Sequence, residues 1–191
     1  MLMNRLPLET RAKLLHMLVE GNSLRATSRM ADVAYNSVLK LVSDAGKACS
    51  DYQDAALRNL PCRRIQVDEI WAFCYTKQKN VESAKKPVDG AGDIWTWTAI
   101  CADTKLVPSW LVGSRDAQAA QMFMQDLASR MTGRIQLTSD GHRPYLEAVE
   151  GAFGADIDYA MLIKLYGQPR DDASRYSPPE CIGTQTHRIH G

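Results

Sequence analysis

At about residue 63 the chain changes its hydrophobic period, and this change limits the folds open to it more than any other feature. From 63 to 75, Ile65, Val67, Trp71, Phe73 and Tyr75 occupy alternate positions, and β-branched and aromatic residues dominate. Strict alternation of this kind marks a strand with one buried face. Before residue 62 the period is helical. Leu8, Ala12, Leu15 and Val19 recur at three- and four-residue spacing after Pro7 and Glu9. Gly21-Asn22 stops that helix, and Ser23 can cap a short second one. Asp32-Val33 reads as a turn into a third helix through Val38, Leu41, Val42 and Ala45.

Beyond the first strand, 93–102 and 106–112 read as two more strands. Asp116 caps a helix with Ala120, Phe123, Leu127 and Met131 on one stripe, and Gly133 ends it. A short strand at 135–139 closes on Asp140-Gly141. Pro144 opens a helix with Tyr145, Leu146, Val149 and Phe153 inward, and a fifth strand follows at 157–166. After Gly167 no period is visible. The order is three strands, helix, strand, helix, strand. It suits an antiparallel meander followed by a parallel crossover, the element order of a ribonuclease-H-like sheet. The expected organisation is α/β: an N-terminal helix-turn-helix bundle over 1–61, a ribonuclease-H-like mixed sheet with flanking helices over 62–166, incomplete at its end, and an irregular tail over 167–191.

Composition bounds the function weakly. The chain has 191 residues, 45% of them hydrophobic, and a net charge of +1. Residues 1–61 hold eight Lys/Arg against six Asp/Glu, so the slight positive excess lies at the front, the sign expected of a DNA-binding end. Cys49, Cys62, Cys74, Cys101 and Cys181 are too scattered for a zinc knuckle or redox pair and suit reduced thiols. No apolar run is long enough to span a bilayer, and the start lacks a signal peptide's apolar stretch. A cytoplasmic protein with no membrane association is expected.

Two sets of residues carry candidate chemistry. Ser28 to Val38 has helix-turn-helix spacing, with Asp32 at the turn position usually held by glycine. Tyr35, Asn36, Ser37 and Lys40 would be exposed on the recognition helix. Asn36 suits adenine, and Arg25, Arg29 and Lys40 suit phosphates. A plain three-helix bundle with no DNA contact fits the same pattern. The second set is acidic. Asp68 lies mid-strand, where a charge among apolar residues is costly unless paired or metal-bound. Asp68 and Glu69 must face opposite ways. Asp140 ends the fourth strand, and a parallel pairing with the first would set the two aspartates side by side, facing one cleft able to bind divalent cations. Otherwise Asp140 simply closes a turn, and Asp68 is a buried partner of Arg64 or Lys77. His142 and Arg143 flank Asp140 and are candidates for phosphate contact.

Several ordered runs resemble one family. They are Asn4-Arg-Leu-Pro7, the segment from Leu15 to Gly21, Asp44 to Cys49, Val67-Asp-Glu-Ile-Trp71, Lys77 to Asn80, Gly92 to Thr98, Ser109 to Gly113, Leu137 to His142 and Tyr145 to Gly154. Together they resemble the insertion-sequence-one transposases over nearly the whole chain. The resemblance implies a DNA-cutting and strand-joining enzyme that binds the terminal inverted repeats of its element. It implies an Asp-Asp-Glu triad using Mg2+ (or Mn2+), with Asp68 and Asp140 as the first two acids. It also implies double-stranded DNA as partner and a homo-oligomer in the active form. The family's glutamate lies in a segment with no counterpart here. Glu180, flanked by prolines, is not assigned to the triad. A truncated form unable to cut DNA alone is therefore expected. The alternatives are a non-catalytic DNA-binding fragment that competes with intact transposase, and a relic without a role.

Overall fold

The structure, a computed structural model, describes residues 6–83, 88–167 and 180–191. It divides into two compact units, Met1–Ala56 and Leu57–Gly191.

The first unit is helical: α1 (Leu8–Val19), α2 (Leu24–Ala31) and α3 (Tyr35–Ala56). Ser23 caps α2 by accepting the Ala26 N–H at 3.1 Å. Asp32 ends α2 in the left-handed region, φ 52°, which the short polar side chain of aspartate tolerates better than most. Ser28 Oγ donates to the Val33 carbonyl at 2.7 Å and so secures the turn. Leu14, Thr27 and Val38, one from each helix, are fully buried. Of the stripe expected on α1, Leu15 is partly covered, but Ala12 is exposed and Leu8 and Val19 are 72% and 81% exposed. Leu14 is buried, and Thr10, Arg11, Met17 and Leu18 are partly covered. The third helix also runs well past Ala45.

The second unit is a mixed six-stranded sheet with two helices. The strands are β1 (Arg64–Cys74), β2 (Gly92–Cys101), β3 (Ser109–Gly113), β4 (Ile135–Ser139), β5 (Ile157–Tyr166) and β6 (Cys181–His190), in the order β3-β2-β1-β4-β5-β6. The first three form an antiparallel meander, and β1-β4-β5 are parallel. The helices α4 (Ala117–Arg130) and α5 (Pro144–Phe153) supply the crossovers. The meander and the parallel pairing are as the element order suggests.

The tail reading needs correction. Residues 181–190 are not irregular: they pair antiparallel with β5, with register shifts near both ends. This edge strand is exposed on both faces apart from Gly183 and His190, so it carries no apolar alternation to read. The expected irregular stretch at 168–179 lies outside the described residues.

One face of the sheet holds the core. Ile65, Val67, Trp97, Ala99, Leu137, Ile157 and Tyr159 pack with Ala120, Phe123, Leu127, Tyr145 and Val149 of α4 and α5. Asp116 caps α4 by accepting the Ala119 N–H at 2.9 Å, and Pro144 occupies the first turn of α5. Leu146, expected inward, is 37% exposed, and Ala148 packs in its stead. Asp126 and Arg130 tie α4 to β3. Asp126 accepts from Arg130 Nε at 2.7 Å and from Ser109 Oγ at 2.5 Å. The opposite face leaves Ile70, Trp110, Val112 and Leu162 exposed.

All five cysteines are free thiols. Cys62 and Cys101, far apart in sequence, are both buried and meet through a side-chain hydrogen bond. Burial first, then Cys101, push the Cys62 thiol up to about 11. Thiolate is the reactive form. Mass mapping after brief alkylation at neutral pH is therefore expected to show Cys49, Cys74 and Cys181 modified, and Cys62 modified only after unfolding. Labelling of native Cys62 at the rate of Cys49 would contradict this.

Candidate carboxylate site

The site forms where β1 and β4 run side by side at the centre of the sheet. Their last paired residues are Gln66 and Thr138. Asp68 and Asp140 each stand two residues further on, and side chains alternate with period two. The parallel register, carried two residues past its last pair, gives the two aspartates corresponding positions, Asp68 within β1 and Asp140 just past the end of β4. Asp68 is exposed, and its Oδ1 accepts the Glu69 N–H at 2.8 Å. Thr98, its neighbour on β2, donates its hydroxyl to the Asp68 carbonyl at 3.2 Å. The Asp140 carboxylate is 44% exposed. Its Oδ1 accepts the His142 N–H at 2.9 Å, so Asp140 also closes the turn that leads into α5.

The acid that carries the cost of burial is the neighbour. Glu69 lies on the core face beside Trp97, and its side chain is 1% exposed. Arg115 Nε donates to Glu69 Oε2 at 2.9 Å, and Tyr145 Oη donates to Oε1. Asp68, expected to be the costly buried charge, sits on the open face and bears no such penalty. Neither partner offered for it by sequence is its partner. Arg64 pairs with Asp103 across the β1–β2 end, and the Lys77 ammonium lies over the Trp71 ring at 5.0 Å.

Arg115 lies between Glu69 and Asp140. Its second amino group is 3.7 Å from Asp140 Oδ2, and its guanidinium lies over the Trp95 ring at 4.8 Å. The preceding residue is fixed by Trp97 Nε1, which donates to the Ser114 carbonyl at 2.9 Å. Sequence reasoning overlooked Glu69, Arg115 and Tyr145. A signal for Glu69 was present: it shares strand parity with Ile65, Val67 and Trp71, and an acid on the buried face needs a partner. Nothing local marks Arg115 or Tyr145, which come from distant segments.

Burial holds Tyr145 far above the ordinary phenol range, helped by Glu69 and by the charges of Asp140 and Asp68. All three carboxylates therefore act on one hydroxyl. His142 is turned inward rather than presented for phosphate. Its ring packs 5.6 Å from Trp97 and 5.7 Å from Tyr145, and its Nε2 is buried with no hydrogen-bond partner among the described residues. Burial and then Arg115 keep its imidazole below the usual value, against the pull of Glu69 and Asp140. Arg143 is exposed at the start of α5.

Chemically, the aspartate pair offers hard oxygen donors with room left on each. The second oxygen of Asp68 accepts no hydrogen bond among the described residues, and Asp140 Oδ2 has only the longer Arg115 contact. Mg2+ and Mn2+ commonly take one or two carboxylates and complete their shells with water. The donor set fits such an ion. Among the described residues, no group of three or more His, Cys, Asp and Glu is arranged to hold a metal.

On the helical unit, Arg29, Asn36 and Ser37 are exposed. Arg25 stacks over Tyr35 at 5.2 Å, and Lys40 pairs with Asp44 at 2.8 Å. That i,i+4 pair is exposed on both sides and contributes little, so a phosphate can compete for Lys40. Among the described residues no helix is long and apolar enough to cross a membrane. No family model matches the chain, and no curated protein matches it.

Proposed function

We propose that the chain acts as an insertion-sequence transposase. Its N-terminal helices bind the element's inverted repeats in double-stranded DNA, and Asp68 and Asp140 serve metal-dependent strand cleavage and transfer. The observation that carries this reading is the aspartate pair, each two residues beyond the last paired residue of two adjacent parallel strands at the centre of the sheet. An antiparallel meander followed by parallel crossovers supports the ribonuclease-H-like reading of the second unit, and the left-handed turn at Asp32 between α2 and α3 supports the helix-turn-helix reading of the first.

In this mechanism Asp68 and Asp140 would hold divalent cations. When bound, divalent cations there supply Lewis-acid stabilisation to phosphoryl transfer. Arg29, Asn36, Ser37 and Lys40 face the duplex, with Asn36 reading a base edge and the cations of the unit contacting phosphates. Cleavage needs no side-chain nucleophile. Pairing of two element ends implies a homo-oligomer as the working form.

Gel shift and Mg2+-dependent cleavage on inverted-repeat DNA test the reading together. The expected result is a sequence-preferring shift weakened by Asn36→Ala. Asp68→Ala and Asp140→Ala are expected to leave the shift intact, and any Mg2+-dependent cleavage by the parent is expected to fall to background in both. A shift indifferent to sequence would sink the DNA-end reading. A specific shift with no cleavage favours a second reading, a DNA-binding module without catalysis. The finding that favours that one is the absence of a third metal-ligating group beside the pair among the described residues.

A further inference from the structure

One cation stands between two acids at this site and is held by the inner one. Arg115 Nε lies 2.9 Å from Glu69 Oε2, a charge-assisted hydrogen bond, whereas its second amino group lies 3.7 Å from Asp140 Oδ2, too far for one. Burial explains the preference. The Glu69 carboxylate is almost wholly removed from water, while that of Asp140 is nearly half exposed, so the same charge pair is stronger at Glu69. Both Glu69 oxygens accept a hydrogen bond, one from Arg115 and one from Tyr145. Trp95 beneath the guanidinium keeps Arg115 within reach of either acid.

Resting on the two-carboxylate reading above, we propose that Glu69 is a positioning residue that draws Arg115 away from Asp140 and so leaves Asp140 Oδ2 open to a divalent cation. With the Glu69 charge removed, the guanidinium has one acid left beside it. It then moves onto Asp140, takes up Oδ2 and sets a positive charge beside the site. Glutamine at position 69 still accepts the Tyr145 hydrogen bond, so the substitution tests charge rather than packing.

The experiment is Mn2+ titration of the full chain, with free Mn2+ read by electron paramagnetic resonance and folding checked by circular dichroism. Asp68→Asn and Asp140→Asn are each expected to lose most binding. Glu69→Gln is expected to weaken binding about tenfold, the lower end of what removing a group behind a metal ligand costs. Glu69→Gln combined with Arg115→Gln is expected to restore it, because the competing guanidinium is gone. A merely structural role predicts the reverse, a double variant no better than the single one. Glu69→Gln binding like the parent, or no recovery in the double variant, overturns the proposal while leaving the aspartate site standing. Unchanged binding in Asp140→Asn, or none in the parent, overturns the aspartate site and the proposal with it. If Glu69→Gln does not fold, Arg115→Gln alone decides: binding equal to or tighter than the parent's supports the proposal, and weaker binding, which would mean that Arg115 helps to hold the site, overturns it.

Discussion

Trp97→Ala is expected to lower the unfolding free energy of the sheet unit by about 3–5 kcal/mol, the range for emptying a fully buried large aromatic site. Trp97 is 0% exposed. Its ring meets Phe123 of α4 at 5.9 Å, Tyr145 of α5 edge-on at 5.5 Å, and His142 at 5.6 Å. Among the described residues it is the one side chain in ring contact with both helices that cover the sheet, so the cavity left by alanine cannot close by moving a single element. The indole N–H adds a smaller contribution through its bond to the Ser114 carbonyl. Trp97→Phe separates the two: it keeps most of the apolar volume and is expected to cost less, with about 1 kcal/mol of its loss from the hydrogen bond. Equilibrium urea unfolding measures both. A loss under about 1 kcal/mol for alanine would mean that the core is not organised around this ring.

Alkali is expected to unfold the same unit through Tyr145. In the unfolded chain a tyrosine releases its proton near pH 10. In the fold, burial and the Glu69 carboxylate hold the Tyr145 proton far above that, with Asp140 and Asp68 adding to the effect. Above about pH 10 the folded state then binds more protons than the unfolded state, so stability falls as pH rises. The slope from this residue is about 1.4 kcal/mol per pH unit, and the stabilisation is complete only below about pH 10. Tyr159 acts in the same direction: burial raises it, its hydrogen bond with Ser139 offsets part, and Asp140 adds to the rise. Urea unfolding at several pH values checks this, alongside tyrosinate absorbance. Tyr145→Phe should flatten the alkaline limb while costing stability at neutral pH, where Glu69 loses a donor. An unchanged alkaline limb would show that Tyr145 ionises in the native state.

Much of the fold was legible because its elements carry their own signals. The fifth strand appears over the expected 157–166 span, and the α4 stripe of Ala120, Phe123 and Leu127 is fully buried. Asp116, Ser23 and Pro144 stand at the helix starts that their chemistry favours. What failed did so for identifiable reasons. β6 is an edge strand whose order comes from hydrogen bonds to β5, and no apolar face announces it. In α1 the buried set includes partly covered Thr10 and Arg11, which a search for apolar residues passes over.

The aspartate pair sharpens the division. Sequence alone determined that Asp68 and Glu69 face opposite ways, because strand side chains alternate whatever surrounds them. It also marked the turn at Asp140. The alternation of Ile65, Val67 and Trp71 also puts Glu69 rather than Asp68 on the apolar face. Only the tertiary structure decided how that acid is paired, because its partners come from outside β1. The helices cover the Glu69 side, so Glu69 must be paired, and Arg115 and Tyr145 from distant segments pair it. Asp68 is left on the open face and needs no such partner.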